Sequence, residues 1–317
     1  MGVRFPVGSA AAKRCGEGSM CGIIGYIGGR PALPLLSTGL ANLEYRGYDS
    51  AGIALTGSDL SVFKKSGEVS ALQGVLPDDS DIRQGIGHTR WSTHGPPTDQ
   101  NAHPHTDCRG RVAVVHNGII ENYDTLREEL SEHTFVSDTD TEVIPHLIEE
   151  ELDAGAEPRA AVEAALDRLE GTYGLVVTIA GVDELYATRQ DSPLVIGHGD
   201  NETFIGSDVT AFLEHTRDVT YLQDGDFAVI NDSGVEIYRG DTVIEPSIER
   251  LTYEADAAEK GGYEHYMLKE IHEQPRALRQ TISGRLEPDS GRVNLDIELP
   301  EEYLSSVEEI QIVACGT

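Results

Sequence analysis

Cys21 is the residue of this sequence best suited to covalent chemistry, because a thiol becomes a strong nucleophile once a base removes its proton. A cysteine before a glycine, taken alone, is more often a packed core thiol. Five polar clusters downstream favour a functional role for Cys21 over a packed core thiol. They interrupt stretches that otherwise have the pattern of buried strands and tight turns. They span residues 44–52, 87–95, 101–105, 116–122 and 137–142. Arginine and histidine are costly to bury without partners, so these clusters predict a functional site.

The elements that must position these clusters follow from the hydrophobic spacing. A glycine-spaced strand over 21–28 leads into a helix over 31–43, whose leucines recur at helical intervals. Further strands are predicted at 52–55, 85–90, 112–116, 175–179, 184–188, 194–196, 203–206, 219–222, 227–231 and 235–238. Helices are predicted at 123–130, 142–152 and 159–169, with Asn122 and Thr141 as candidate caps of the first two. This pattern favours an α+β fold of packed sheets covered by helices over a doubly wound parallel sheet.

The chain's 317 residues are typical of two domains. An acidic stretch with a proline over 241–258 predicts a linker, so that residues 21–240 form a first domain and residues 259–317 begin a second. The spacing then predicts a helix over 263–282 with a kink at Pro275, a short helix near 301–307 and a strand over 310–314. A strand followed by Gly316 and Thr317 is typical of the start of an α/β domain, here incomplete.

The charge balance excludes several functions. Lys and Arg total 24 against 55 Asp and Glu, a formal net charge of −31. A nucleic-acid partner and an anionic membrane surface are therefore not expected, since both need a basic surface. The acidic, lysine-poor composition indicates adaptation to a high-salt cytoplasm, where salt screens like charges. The four scattered cysteines fit a reducing compartment, and neither a secretory signal nor a membrane span is found in the sequence.

Two other site types were weighed against the nucleophile. A metal site could combine Asp107 with four histidines, but their spacing matches no helical ligand pair and Pro104 places two of them on a turn. Those histidines are His94, His103, His105 and His116. The glycines at 22, 25 and 28 do not have dinucleotide-loop spacing, and close strand packing explains them better. No metal and no cofactor are therefore expected.

The clusters closely resemble class II glutamine amidotransferases, and within them the glutamine:fructose-6-phosphate aminotransferases. Six motifs in family order carry the resemblance, which runs from Cys21 to Thr317. They are Tyr-Arg-Gly-Tyr-Asp-Ser-Ala-Gly (45–52), His-Thr-Arg-Trp-Ser-Thr-His-Gly (88–95), Asn-Ala-His-Pro-His (101–105), His-Asn-Gly-Ile-Ile-Glu-Asn (116–122), Thr-Asp-Thr-Glu-Val (139–143) and Lys-Glu-Ile-His-Glu-Gln-Pro (269–275). The sister phosphoribosyl-pyrophosphate amidotransferases usually lack the tryptophan, the Ala-His-Pro-His run and the Glu-Gln-Pro helix.

The resemblance implies an N-terminal nucleophile fold, a four-layer αββα sandwich, and a glutaminase mechanism. Cys21 at a free chain terminus attacks the glutamine side-chain amide while its own α-amine accepts the thiol proton. The Asn117 side chain and the Gly118 N–H then form the oxyanion hole. Ammonia leaves and water clears the thioester.

The resemblance also implies which residues hold L-glutamine. Arg90 suits the α-carboxylate through its bidentate fork. Asp140, rather than Asp138, suits the α-ammonium. Trp91, Thr93, His94 and His103 line or adjoin the pocket.

Two departures from the family limit what this chain could do alone. Residues 1–20 precede Cys21 and would block its amine, so we interpret them as a leader absent from the mature protein, with Met20 as the true start. The chain also stops where a sugar isomerase domain begins, so fructose 6-phosphate is expected as a substrate only if that domain is supplied. We expect the glutaminase half of an amino-sugar-forming enzyme, cytoplasmic and homodimeric at full length. The alternatives are a glutaminase partner of a separate synthase chain and a silent, truncated relic or binding scaffold.

Overall fold

The computed structural model describes residues 21–46, 49–91, 96–232, 234–240 and 242–251, together with the pairs 267–268, 271–272, 274–275, 286–287 and 292–293. The chain divides into two compact units, Met1–Thr252 and Tyr253–Thr317. In the parts described, no helix is both long enough and apolar enough to cross a membrane.

The first unit is built from two antiparallel sheets. The strands are β1 (Gly22–Gly28), β2 (Ser50–Thr56), β3 (Leu60–Ser66), β4 (Gln84–Arg90), β5 (His105–Thr106), β6 (Val112–Ile120), β7 (Gly171–Ile179), β8 (Leu185–Gln190), β9 (Val195–His198), β10 (Glu202–Gly206), β11 (Asp218–Tyr221), β12 (Asp226–Asn231), β13 (Gly234–Arg239), β14 (Thr242–Ile244) and β15 (Glu249–Arg250). One sheet has the order β15-β11-β9-β10-β1-β4-β2-β3, and the other has the order β14-β13-β12-β8-β7-β6-β5.

Helices cover the outer faces of this sheet pair. They are α1 (Ala32–Leu43), α2 (Val69–Gln73), α3 (Tyr123–Glu129), α4 (Val143–Asp153) and α5 (Pro158–Leu166). One apolar cluster joins β6 and β7 to α3, α4 and α5. A second cluster fills the space between the sheets. The layers are thus helix, sheet, sheet and helix, which confirms the predicted αββα sandwich.

Strand alternation explains how one strand serves two cores. In β6, Val112 and Val114 face the helices, whereas Ala113 and Val115 face the other sheet. Period-two alternation sends successive side chains to opposite faces, and here both faces are apolar. A strand buried on both faces therefore appears in the sequence as a continuous apolar run, and that run predicted β6.

Close packing against α1 accounts for the glycine-spaced first strand. A Cβ on Gly22 would lie 2.6 Å from Thr89 Oγ1 and 2.8 Å from Leu43 Cβ. Ordinary Cβ contacts are longer, so a side chain here would separate β1 from its neighbours. The structure thus supports strand packing rather than a nucleotide loop as the role of this glycine.

The two predicted caps do not act through their side chains. Asn122 occupies the N-cap position of α3 but makes no capping bond, and the N-cap of α4 is Glu142 rather than Thr141. Asn122 instead donates to Arg168 O and accepts from Glu170 N–H, which ties α3 to the segment before β7. Thr141 bonds His103 and His116. Tertiary partners outcompeted the local capping bond at both positions.

Two short strands, β14 and β15, lie within the range predicted as a linker. β14 pairs with β13 and β15 pairs with β11, so each forms the edge of one sheet. The division into domains at this range stays a prediction.

The second unit is described only in part. Residues 267–268, 271–272 and 274–275 are helical, and they fall inside the helix predicted over 263–282. Leu286–Glu287 (β16) pairs with Arg292–Val293 (β17). The predictions for 301–317 and for the leader 1–20 lie outside the described residues.

Candidate active site

The predicted nucleophile lies at the end of the sheet where β1 and β4 are paired. Gly22 is opposite Thr89 in that pair, so Cys21 and Arg90 come at the same end. The Trp91 N–H donates to Cys21 Sγ at 3.1 Å, and the thiol lies 3.5 Å from Trp91 O. The backbone after β4 therefore holds the sulfur in place.

The environment of Cys21 raises the pKa of its thiol. Burial is the largest cause, and the negative charge of Asp49 adds to it. The Trp91 N–H and the Arg90 charge oppose the rise but do not cancel it. A thiol whose pKa is raised is mostly protonated at neutral pH, so a nucleophilic Cys21 needs an adjacent base.

Asn117 and Gly118 reach Cys21 from the other sheet, near the end of β6. Asn117 Nδ2 donates to the Cys21 carbonyl at 2.9 Å. Gly118 has a φ of +136°, and a Cβ there would lie 2.0 Å from Thr172 O. Only glycine fits this conformation and this contact, so the strand can turn its backbone at the site without a steric clash.

His88 fixes the orientation of the Asn117 amide, a role that sequence reasoning did not assign. His88 Nε2 lies 3.0 Å from Asn117 Oδ1 and 3.1 Å from His116 O. Both partners are acceptors, so Nε2 carries the proton. Burial lowers the pKa of His88 to about 3, which keeps the ring neutral. Asn117 therefore presents its NH₂ group, not its oxygen, toward Cys21.

Arg90 and Asp140 bring opposite charges to this region. Arg90 is buried, which lowers its pKa, while the charges of Asp49, Cys21 and Asp140 raise it again. Asp140 lies just before α4 and is held by the Ile120 N–H, which donates to its Oδ2 at 2.8 Å. A cationic fork and a carboxylate beside a thiol can hold the two charged α-groups of an amino acid.

Of the remaining predicted site residues, one adjoins Cys21, one lies deeper in the fold, and two lie outside the described residues. Trp91 adjoins Cys21 through its backbone, as described above. His103 is buried, and its Nε2 bonds Thr141 Oγ1 at 3.0 Å. Its ring lies against that of His88, with centroids 4.2 Å apart, so His103 belongs to a layer behind Asn117. Thr93 and His94 lie outside the described residues.

The described residues of the rival metal site are engaged in other contacts. His105 bonds Thr139 Oγ1 and His116 bonds Thr141 Oγ1, so both rings are used in hydrogen bonds. Asp107 accepts the N–H groups of Arg111 and Val112, which closes the turn before β6. Within the described part of the chain, none of these residues belongs to a cluster of metal-ligating groups.

Comparisons with known proteins agree with this geometry. Residues 88–214 match the glutamine amidotransferase domain family. The chain is 58% identical over 300 residues to a glutamine–fructose-6-phosphate aminotransferase (isomerizing) of Halobacterium salinarum, covering 94% of this chain and 50% of that protein. It is 51% identical over 306 residues to the protein of the same name from Symbiobacterium thermophilum, with the same coverage. The chain thus spans about half the length of the curated relatives it matches.

The fold matches solved amidotransferases. Glutamine phosphoribosylpyrophosphate amidotransferase from B. subtilis superposes with a TM-score of 0.61 at 25% identity, over 70% of this chain and 50% of that one. The acidic composition accords with the halophilic source of the Halobacterium relative. The chain belongs to the glutamine amidotransferase family, with the N-terminal nucleophile fold.

Proposed function

We propose that this chain is the glutamine-hydrolysing half of an enzyme that converts fructose 6-phosphate to glucosamine 6-phosphate. The observation that carries the proposal is the meeting of three residues from different strands: Arg90 comes to the same sheet end as Cys21, and Asn117 donates to the Cys21 carbonyl. The names of the relatives supply the sugar substrate. The isomerase half is supplied by a longer protein or by a separate chain.

The reaction uses the residues of the site in sequence. The Cys21 thiolate attacks the side-chain amide carbon of glutamine, and the thiol proton passes to the α-amine of Cys21. Charge develops on the amide oxygen, where the Asn117 NH₂ group and the Gly118 N–H stabilise it by about 3 kcal/mol per donor. The amine returns the proton to the leaving nitrogen, ammonia departs, and a γ-glutamyl thioester remains. Water then releases glutamate and the free thiol.

A silent scaffold is the competing proposal, and one experiment separates the two. The mature chain is incubated with glutamine and then with glutamine plus fructose 6-phosphate, while glutamate, ammonia and amino sugar are measured. We expect equal amounts of glutamate and ammonia and no glucosamine 6-phosphate. The glutamine analogue diazo-oxo-norleucine should label Cys21 and leave Cys108 and Cys315 unmodified. Binding of glutamine without hydrolysis would support the scaffold, and labelling elsewhere would contradict the nucleophile assignment.

Charge removal at Arg90 or Asp140 is expected to weaken glutamine binding more than it slows catalysis. Both residues would grip the α-groups of the substrate, which are remote from the reacting amide. Loss of one charge-assisted hydrogen bond costs roughly 2–3 kcal/mol, so KM should rise about 30- to 150-fold in Arg90→Gln and Asp140→Asn. Steady-state kinetics of glutamate release measure this.

Two matched controls accompany these variants. Asp138→Asn removes an exposed carboxylate two residues from Asp140, and Arg30→Gln removes a surface arginine paired with Glu202. Both should leave KM within about twofold, because exposed ion pairs contribute little. A fall in kcat at unchanged KM in Arg90→Gln or Asp140→Asn would show that the residue acts on the transition state or the fold instead.

The cellular setting is also proposed. Cys21 must be a reduced thiol to act as the nucleophile, which fits a cytoplasmic location. A homodimer of the full-length enzyme stays a prediction from the resemblance.

A further inference from the structure

Four potential metal ligands converge at a place that the glutaminase chemistry does not use. They are Cys108 in the turn between β5 and β6, His133 in the segment after α3, and His146 and Glu149 on α4. The two α4 residues are three positions apart, so they share one face of the helix. In this cluster, one donor atom from each residue lies within 4.8 Å of all the others.

Four of the six separations within the cluster match those around a tetrahedral metal. Cys108 Sγ lies 3.6 Å from His133 Nδ1 and 3.6 Å from His146 Nδ1. Glu149 Oε2 lies 3.1 Å from His133 Nδ1 and 3.4 Å from His146 Nδ1. Zinc bond lengths at tetrahedral angles place two nitrogen or oxygen ligands about 3.3 Å apart, and a sulfur about 3.6 Å from a nitrogen. The four measured separations agree with these within about 0.2 Å.

The outward-facing ring nitrogen of each histidine lies near a carboxylate, the group that usually orients a metal-bound histidine. His146 Nε2 lies 3.8 Å from Glu142 Oε1, and His133 Nε2 lies 3.8 Å from Glu150 Oε1. His146 Nε2 is buried and has no hydrogen-bond partner. If the proton of a neutral His146 sat on Nδ1, a lone pair would face the Glu142 carboxylate. A metal on Nδ1 moves that proton to Nε2, where it points toward the carboxylate, as is usual for metal-bound histidines.

Neighbouring groups hold the remaining ligands. Glu149 Oε1 lies 3.7 and 3.8 Å from Arg109 and Arg111, while Oε2 accepts the Cys108 N–H at 3.0 Å and keeps a second lone pair for the cluster. The Thr134 N–H donates to Cys108 Sγ at 3.4 Å and so holds the sulfur in place. One thiolate and one carboxylate balance the charge of a divalent cation, and the two histidines bind it as neutral ligands.

We propose that Cys108, His133, His146 and Glu149 bind one zinc ion. Thiolate and imidazole ligands select zinc over magnesium or calcium, which prefer oxygen. Four protein ligands leave no open position for substrate, so the ion is structural. It joins the turn before β6 and the segment after α3 to α4, whose first turn follows Asp140 and Thr141. Zinc binding thus stabilises the part of the fold that carries Asp140.

Cobalt substitution tests the site directly. The full chain is stripped with a chelator in molar KCl and titrated with Co²⁺, whose spectrum reports tetrahedral geometry and thiolate ligation. We expect one equivalent to give intense visible bands and a thiolate-to-cobalt charge-transfer band, and zinc to displace it. Zinc added to the stripped protein should raise its thermal unfolding temperature.

Variants at single ligands complete the test. Cys108→Ser should remove the charge-transfer band, whereas Cys21→Ser should keep it. His133→Asn alters a partly exposed position and should weaken zinc binding at least about tenfold while the protein stays folded. The proposal is overturned if the stripped protein, after zinc is added back, does not retain one equivalent through dialysis. It is also overturned if Cys108→Ser and His133→Asn bind zinc as tightly as the unaltered chain.

Discussion

Protein whose first residue is Cys21 is expected to hydrolyse glutamine at least about a thousandfold faster than protein that keeps residues 1–20. An amide nitrogen at position 21 has no useful basicity, whereas a free α-amine can accept a proton at neutral pH. Burial raises the pKa of the Cys21 thiol, so without that amine little thiolate forms. Loss of an essential base typically costs three or more orders of magnitude in kcat.

Two preparations of the same chain make this comparison. One is cleaved from a removable fusion so that Cys21 is exposed, and the other begins at Met1, with both confirmed by intact mass. Cys21→Ala in the cleaved form sets the background rate. Comparable rates from the two preparations would contradict the α-amine mechanism and point to another base near the thiol.

The sequence motifs of the candidate site fall near strand ends, which is why the fold brings several of their residues together. Cys21 and Arg90 stand at the paired ends of β1 and β4, and a strand register carries both to one place. What the sequence could not provide was the contact between the sheets. Asn117 meets Cys21 across the two sheets, and His88 meets Asn117 in the same way. No local periodicity encodes those distances.

The fold was predictable where a segment carries its own pattern. Strands buried on both faces, such as Val112–Ile120, and helices with an apolar stripe, such as Val143–Asp153, show clear periodicity. Leu60–Ser66 was missed because its half-buried side chains give weak alternation. The edge strands after residue 241 were missed because backbone pairing with β11 and β13, rather than side-chain pattern, defines them.

The four proposed metal ligands could not be recognised in the sequence for a similar reason. Its four residues come from three segments between 108 and 149, and only His146 and Glu149 have helical spacing. The histidine-rich motif over 101–105 is more conspicuous in the sequence, yet the rings of His103 and His105 bond Thr141 and Thr139. Residue type alone does not tell which histidines converge, because the tertiary fold decides that.

Those buried histidines lead to a second large effect, a loss of folding stability as the pH falls below about 6.5. Burial lowers the pKa of His88 to about 3 and those of His103 and His105 well below the usual value. These rings stay neutral in the folded chain but take up protons when it unfolds. Stability is therefore complete above the unfolded pKa near 6.5 and decreases as the pH falls toward the folded values. Each such ring changes the unfolding equilibrium up to tenfold per pH unit, so three give up to roughly 4 kcal/mol per unit.

Urea unfolding between pH 7 and pH 4.5, in molar KCl with a chelator, measures this slope. The pH window ends at 4.5 because Glu142 adds its own loss of stability below pH 4.5. The pKa of Glu142 is lowered to about 2 in the folded chain, so its ionised carboxylate stabilises the fold at higher pH. His105→Gln should reduce the slope by one proton, since it removes one ring that titrates only in the unfolded chain. A flat stability profile across the window would mean that these histidines can be protonated without unfolding.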